Sequence, residues 1–227
     1  MISDNSVNPV KKRESVKNDY NIIANEYADE FGRKLEDIEV IEEFMSKLNS
    51  NSKILDLGGG TGKLTNLFIQ KGHKAICYDF SIEMMRKAKE FFPNIPYILD
   101  DMVNIKEHFE SSSFDWIIAF YSLFHIPKEE LDKVFSSICD LLKQDGIFCF
   151  VVQLGDWEDY IDEPYLKEKG KNVLYFNFFT KEQINELLQR YNLEKIYETE
   201  KEEAGENELG GNGNNKYFVI AKKKWIK

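Results

Sequence analysis

The run Lys53-Ile54-Leu55-Asp56-Leu57 leads straight into Gly58, Gly59, Gly60 and Gly62, and Leu64, Leu67 and Phe68 follow at helical spacing. An apolar run, a glycine cluster and an amphipathic pattern read as strand, tight turn and helix. Glycines at such a turn permit φ > 0 and let a ligand lie against bare backbone. The helix beyond opens with unpaired N–H groups. The turn therefore places a candidate ligand site at the end of the first strand.

The chain around it alternates. Residues 1–18 read as a flexible polar tail. A helical stripe of Tyr20, Ile23, Ala24, Tyr27 and Phe31, then a second of Ile38, Ile41, Phe44, Met45 and Leu48, predict an N-terminal helical unit over 19–50. Strands are expected over 54–57, 75–79, 97–99, 114–120 and 147–152, with helices between them. Gly72 fits the end of the first of these helices, Ser81 the cap of the second, and residues 144–146 a turn before the fifth strand. Residues 155–179 break the rhythm with Trp157, Tyr160, Tyr165, Tyr175 and Phe176 among charges, and read as a cap. Thr180 and Gln183 fit a capping box for a helix that precedes two closing strands, 193–199 and 216–222, joined by a mobile loop over 200–215. The predicted fold is α/β: a Rossmann-like, doubly wound, mostly parallel seven-stranded sheet with an antiparallel last strand inserted by a hairpin. Residues 19–227 are expected to form one domain, with 53–152 as ligand-binding core, 155–179 as cap and 180–227 as closing helix and hairpin.

Charge and cysteine usage narrow the partners. With 30 Lys and Arg against 40 Asp and Glu, the net charge is −10, which argues against a nucleic-acid backbone as partner. Cys77, Cys139 and Cys149 lie in apolar runs without metal-ligand spacing, so no metal is expected and the thiols read as reduced core residues of a cytoplasmic protein. No apolar run approaches the roughly 18–20 residues of a membrane span. The amino terminus shows no secretory h-region. A small-molecule substrate and a monomer or homodimer are expected.

Three nucleotide readings compete for the glycine turn. A P-loop fails twice: Leu57 stands where its first glycine belongs and Leu64 where its hydroxyl belongs. The dinucleotide fingerprint matches at Gly58 and Gly60 but meets Lys63 at its third position. What remains is Asp56-x-Gly58-x-Gly60-x-Gly62, and here the chain resembles the class I S-adenosylmethionine-dependent methyltransferases. The cofactor of that family has no phosphate, and its ammonium and sulfonium suit an acidic chain.

The resemblance extends through residues 53–152. It implies that Asp79, closing the second strand, holds the ribose hydroxyls. Residues 79–85 look like the family's D-x-S-x-x-M pattern, which puts Phe80 and Met84 beside the adenine, and Asp101-Met102 look like its adenine-reading pair. Residues 120–126 resemble the floor beside the sulfonium, beginning with Phe120. Residues 141–146 resemble the family's approach to strand five, with Gln144 in place of the usual proline. Residues 20–27 resemble its "Y-D-x-x-A-x-x-Y" lid, which places Tyr27 at the cofactor.

The expected activity is methyl transfer from S-adenosyl-L-methionine to an N, O or C nucleophile of a small molecule. His125, Tyr121 and Asp156 are the candidate bases, with His125 and Tyr121 the stronger. Tyr20, Arg33, Trp157 and Tyr175 are candidate substrate contacts. A nicotinamide-dependent oxidoreductase and a non-catalytic S-adenosylmethionine-binding protein stay open as alternatives.

Overall fold

The computed structural model describes residues 8–35, 37–167, 170, 173–202 and 215–225. Helices α1 (Pro9–Phe31) and α2 (Ile38–Ser46) precede β1 (Lys53–Leu57). Then come α3 (Lys63–Gln70), β2 (Lys74–Asp79), α4 (Ile82–Phe91), β3 (Tyr97–Leu99), a 3-10 segment (Met102–Glu107) and β4 (Phe114–Ala119). Helix α5 (Leu131–Leu141) leads into β5 (Leu142–Gln153). The cap contains β6 (Glu158–Asp162), α6 (Pro164–Lys167) and β7 (Val173–Asn177), and α7 (Lys181–Arg190), β8 (Leu193–Glu202) and β9 (Asn215–Lys223) close the chain.

Seven strands form one sheet in the order β3-β2-β1-β4-β5-β9-β8. The pairs from β3 to β5 are parallel, and β9 enters antiparallel between β5 and β8. The order reverses between β1 and β4, the switch point at which open α/β sheets bind ligands beyond their strand ends. Both faces are covered, so β4 and residues 147–152 of β5 read as nearly continuous apolar runs. Phe135, Phe148 and Phe150 centre one face; Phe44, Trp116 and Phe218 centre the other. A third cluster joins Val16 and Ile23 of α1 to Leu166, Leu174 and Tyr175 of the cap.

The Ser81 cap, whose hydroxyl accepts from Met84 N, and the Thr180–Gln183 capping box both form. Residues 9–18 are no tail: they are the first turns of α1. Asn8 caps the helix through its side chain, Pro9 occupies the first turn, and Val16 is fully buried. Asn-Pro is a helix-start signal, hidden in the sequence by the polar residues that follow it. The turn expected at residues 144–146 is instead an irregularity within β5, with Asp145 at φ 61°. Of the mobile loop expected over 200–215, residues 203–214 lie outside the described residues. Among the described residues, no helix is long and apolar enough to cross a membrane.

Candidate active site

The glycine turn lies at the carboxyl end of β1, and three of its glycines take positive φ: Gly58 at 67°, Gly60 at 53° and Gly62 at 74°. They serve three different ends. A Cβ on Gly58 would stand 2.3 Å from the Cβ of Ser122, so this glycine admits the segment after β4, where the Ser122 hydroxyl donates to the Leu57 carbonyl at 2.8 Å. A Cβ on Gly62 would strike Ile95 Cδ1 at 2.2 Å, so Gly62 packs the start of α3. A Cβ on Gly60 would meet nothing within 4 Å, because Gly60 opens on a cavity. Gly59, whose φ is ordinary, has no room either: its Cβ would lie 2.6 Å from Cys77 Sγ and 2.8 Å from Asp56 Oδ2. Gly59→Ala is expected to lower stability by about 1–3 kcal/mol through overpacking, read as a fall in denaturation midpoint with an unchanged slope.

The cavity, of about 340 Å³, runs from the ends of β1 and β2 across β4 and β5, beneath α1. This is the size of a small-molecule pocket, roughly 300–1,000 Å³. Asp79 reaches it from the end of β2. Its carboxylate accepts from Gly60 N at 2.9 Å and Ser81 N at 2.8 Å, yet burial pushes its pKa up to about 6. Asp56 is likewise pushed up to about 6 by burial, and accepts from the Thr65 hydroxyl at 2.7 Å. Phe80 and Met84 follow on the same wall. Asp101 and Met102 lie at the end of β3, and Phe120 and Tyr121 after β4. Tyr121 holds a non-glycine φ of 59°.

Helix α1 roofs this cavity with Tyr20, Ile23, Tyr27 and Phe31. Tyr20 meets Tyr27 edge-on, with ring centroids 5.9 Å apart. The Asn21 side chain accepts from the Ser81 hydroxyl at 2.7 Å and fastens α1 to the start of α4. Two turns earlier, the Arg13 guanidinium bonds both Asp101 and Glu130. Arg13 and the two carboxylates are largely buried, so removing the cation leaves like charges facing one another. Arg13→Met is expected to cost about 2–4 kcal/mol, measured by denaturant unfolding, with much of the loss recovered in the Arg13→Met, Glu130→Gln double variant.

Tyr20 and His125 form a polar pair that joins the roof to the floor. Tyr20 Oη lies 2.8 Å from His125 Nε2, and His125 Nδ1 lies 2.8 Å from the Tyr175 carbonyl. A carbonyl only accepts, so Nδ1 carries the proton and Nε2 accepts from the Tyr20 hydroxyl. Burial lowers the His125 pKa to about 4 and raises that of Tyr20, so both are neutral near pH 7.

The structure brings together most of the residues the sequence singled out: Tyr20, Tyr27, Asp56, Gly58 and Gly60, then Asp79, Phe80, Met84, Asp101 and Met102, and finally Phe120, Tyr121 and His125. It separates others. Gly62 packs on Ile95 away from the cavity. The Arg33 guanidinium lies over the Phe91 ring, 4.4 Å from its centroid, and not in the cavity. Trp157 stacks on Phe178 at 4.0 Å, half exposed on the cap's outside. The Tyr175 ring is buried and its hydroxyl donates to Glu158; only its carbonyl serves the site. Asp156 is exposed and bound by Gln183. The Tyr121 hydroxyl donates to Asp37, so this phenol is committed to a partner rather than poised as a base. Sequence reading missed Arg13, whose helix it took for a tail. It also missed Gln153, Lys216, Glu163 and Phe176 on the cavity wall, which no motif marks.

Residues 27–198 match the profile of a family described as "Methyltransferase domain", well over half of the chain. The chain belongs to this methyltransferase family. The glycine turn, the acidic strand ends and the sheet order place it in class I, whose cofactor is S-adenosylmethionine. Among curated relatives, an uncharacterized methyltransferase of Oceanobacillus iheyensis is 28% identical over 45% of this methyltransferase and 47% of its own length. The phosphoethanolamine N-methyltransferase 1 of Triticum aestivum is 27% identical over 51% of this chain and 25% of its own. The chain spans about half the length of the first curated relatives it matches, 47% of the Oceanobacillus protein and 56% of an uncharacterized methyltransferase of Alkaliphilus oremlandii. Among solved structures, the 1,6-didemethyltoxoflavin-N1-methyltransferase of Burkholderia thailandensis, with S-adenosylhomocysteine bound, superposes with a TM-score of 0.71 at 16% identity. That match covers 99% of this chain and 94% of the other. The fold is thus that of S-adenosylmethionine-dependent methyltransferases.

Proposed function

We propose that this methyltransferase transfers a methyl group from S-adenosylmethionine to a nitrogen of a small molecule. The observation that carries the reading is the Tyr20–His125 pair, which opens on the same cavity as Gly60 and Asp79. The residues present fit the cofactor: Gly60 offers bare backbone, and the buried Asp79 carboxylate, held by the Gly60 and Ser81 N–H groups, can accept from a ribose diol. Phe80 and Met84 offer apolar surface for the adenine, and Asp101 retains lone pairs for its amino group beyond those used by Arg13 and Val103 N. Tyr27 and Phe120 complete the enclosure.

The bound cofactor supplies an electrophilic methyl group for in-line displacement. The chain's own part is orientation and exclusion of water. Tyr20, by donating to His125 Nε2, turns its oxygen lone pairs toward the cavity, where they accept from the N–H of the nucleophile and aim its lone pair. The Tyr175 carbonyl fixes the His125 tautomer that permits this. Aromatic faces from Tyr20, Tyr27 and Phe176 favour the cationic product. In this reading α1, α2 and the cap over 155–179 select the acceptor. Named relatives that methylate nitrogen, the Triticum enzyme and the Burkholderia enzyme, support the choice of nucleophile.

The test is incubation with methyl-labelled S-adenosylmethionine and a panel of primary, secondary and heteroaromatic amines, read by mass spectrometry. Label appearing on a nitrogen is expected. Label only on oxygen or carbon overturns the nucleophile, and no transfer despite tight cofactor binding favours a binding protein.

A further inference from the structure

The cap gives the cavity a carboxylate that the cofactor does not use. Glu163 lies between β6 and α6, and it lines the cavity together with Tyr165 of α6. This segment is docked on the roof: the Tyr165 hydroxyl donates to Glu30 of α1, and its ring meets Phe31 edge-on with centroids 6.4 Å apart. Glu163 is thereby held near Tyr20. Burial raises the Tyr20 pKa, and Tyr27 and then the Glu163 charge add to that rise.

The other carboxylates on the cavity wall are answered. Asp56 accepts from the Thr65 hydroxyl, and Asp79 from two backbone N–H groups. Asp100 bonds the His108 ring at 2.7 Å, and Asp101 the Arg13 guanidinium. Glu163 Oε1 accepts from Tyr165 N at 3.3 Å, beyond the usual N–H···O range, and this bond caps the short α6. Among the described residues no cation pairs with Glu163, and burial pushes its pKa up against that one N–H. A partly buried carboxylate costs free energy unless a cation answers it, and Oε2 is left for the cavity. The wall beside it is aromatic. Tyr20, Tyr27, Phe31 and Tyr165 all line the cavity, with Tyr20 and Tyr27 centroids 5.9 Å apart and Tyr27 and Phe31 centroids 5.2 Å apart. Aromatic faces attract cations, so rings and carboxylate favour the same charge.

We propose that Glu163 and these rings form a cation-recognition subsite for the methyl acceptor. Besides the nitrogen aligned at Tyr20, the acceptor carries a second group that is positive at neutral pH, and Glu163 receives it as an ion pair. This rests on the methyl-transfer reading above and adds the acceptor's second group to it. A singly protonated diamine offers both parts at once: its ammonium to Glu163 and its neutral nitrogen to Tyr20. An amine bearing a quaternary ammonium shares this chemistry.

Matched ligands test it. Protein saturated with S-adenosylhomocysteine is titrated calorimetrically with ethylenediamine and putrescine, each against the diol of the same length, and with choline against its uncharged carbon isostere, dimethylbutanol. At least one cation is expected to bind about tenfold or more tighter than its neutral match. The diamine and choline arms decide whether a primary or a quaternary cation is read. Glu163→Gln keeps an acceptor for Tyr165 N and removes the charge, and is expected to erase the preference; Glu163→Asp is expected to keep part of it. Equal binding within every pair, or a preference that survives Glu163→Gln, overturns the proposal. A surviving preference together with weakened S-adenosylhomocysteine binding assigns the carboxylate to the cofactor's own ammonium instead. Should Glu163→Gln misfold, Glu163→Ser decides by the same criterion. The wild-type S-adenosylhomocysteine titration is separate: its failure sinks the methyl-transfer reading, whichever cation binds.

Discussion

Tyr20→Phe is expected to lower kcat for methyl transfer by about 10²-fold, with little change in cofactor affinity, because a misaimed nucleophile costs rate rather than binding. The phenol oxygen is the group removed, and the ring's edge contact with Tyr27 is kept. His125→Ala should cost a similar factor, since without Nε2 the Tyr20 hydroxyl loses its fixed orientation. The double variant should fall no further than the worse single one, as groups acting as a unit are not additive. The pH profile separates orientation from base catalysis. Burial holds the His125 pKa near 4, so kcat at saturating cofactor should show no His125 inflection between about pH 5.5 and 8. A kcat that follows a single ionisation near the ordinary histidine value of roughly 6.5 assigns His125 as the proton acceptor instead. The same shift sets a stability term: neutral His125 favours the fold above its unfolded pKa, and this contribution is lost as pH falls through about 4.

Asp79→Ala is expected to weaken S-adenosylhomocysteine binding by about 1–3 kcal/mol through the loss of charge-assisted hydrogen bonds, ten- to hundredfold in calorimetry. Unchanged affinity removes Asp79 from the ribose. The pH dependence carries a sign. Burial raises the Asp79 pKa to about 6, so in the ligand-free protein the protonated form favours folding. That contribution is complete below the unfolded pKa and lost as pH rises through about 6. The ligand's hydroxyl donors favour the ionised form. Affinity should therefore fall as pH drops below about 6, by up to about tenfold per unit, and Asp79→Asn should flatten the curve. Asp56 shares the raised pKa, but its carboxylate is taken by the Thr65 hydroxyl inside the turn. Thr65→Val is the control that separates the two.

The glycine-turn side of the cavity was legible because it is built from consecutive segments. Asp56 to Gly62 and Asp79 to Met84 each lie in one strand-turn-helix unit, and the turn geometry demands those residue types. On the side beneath α1 single candidates such as Tyr20 and His125 were legible, but their pairing was not. Tyr20 meets His125 across 105 positions, and Arg13 reaches Asp101 across 88. No local pattern encodes such meetings. Trp157 and Tyr175 show the limit from the other side: both are aromatic and lie in the segment expected to cap the site, but one stacks outward on Phe178 and the other is locked to Glu158.

By itself the sequence determined the alternation of strand and helix, the glycine turn, the carboxylates at the strand ends and, through these, the cofactor. These follow from backbone conformation and hydrophobic period, which are local. Only the tertiary structure decided that residues 9–18 belong to a roof helix, that His125 is kept neutral with its Nε2 turned to Tyr20, and that Gln153 and Lys216 share a cavity wall. Those outcomes depend on burial and on pairing between distant strands, which arise when the sheet closes and the cap packs on α1.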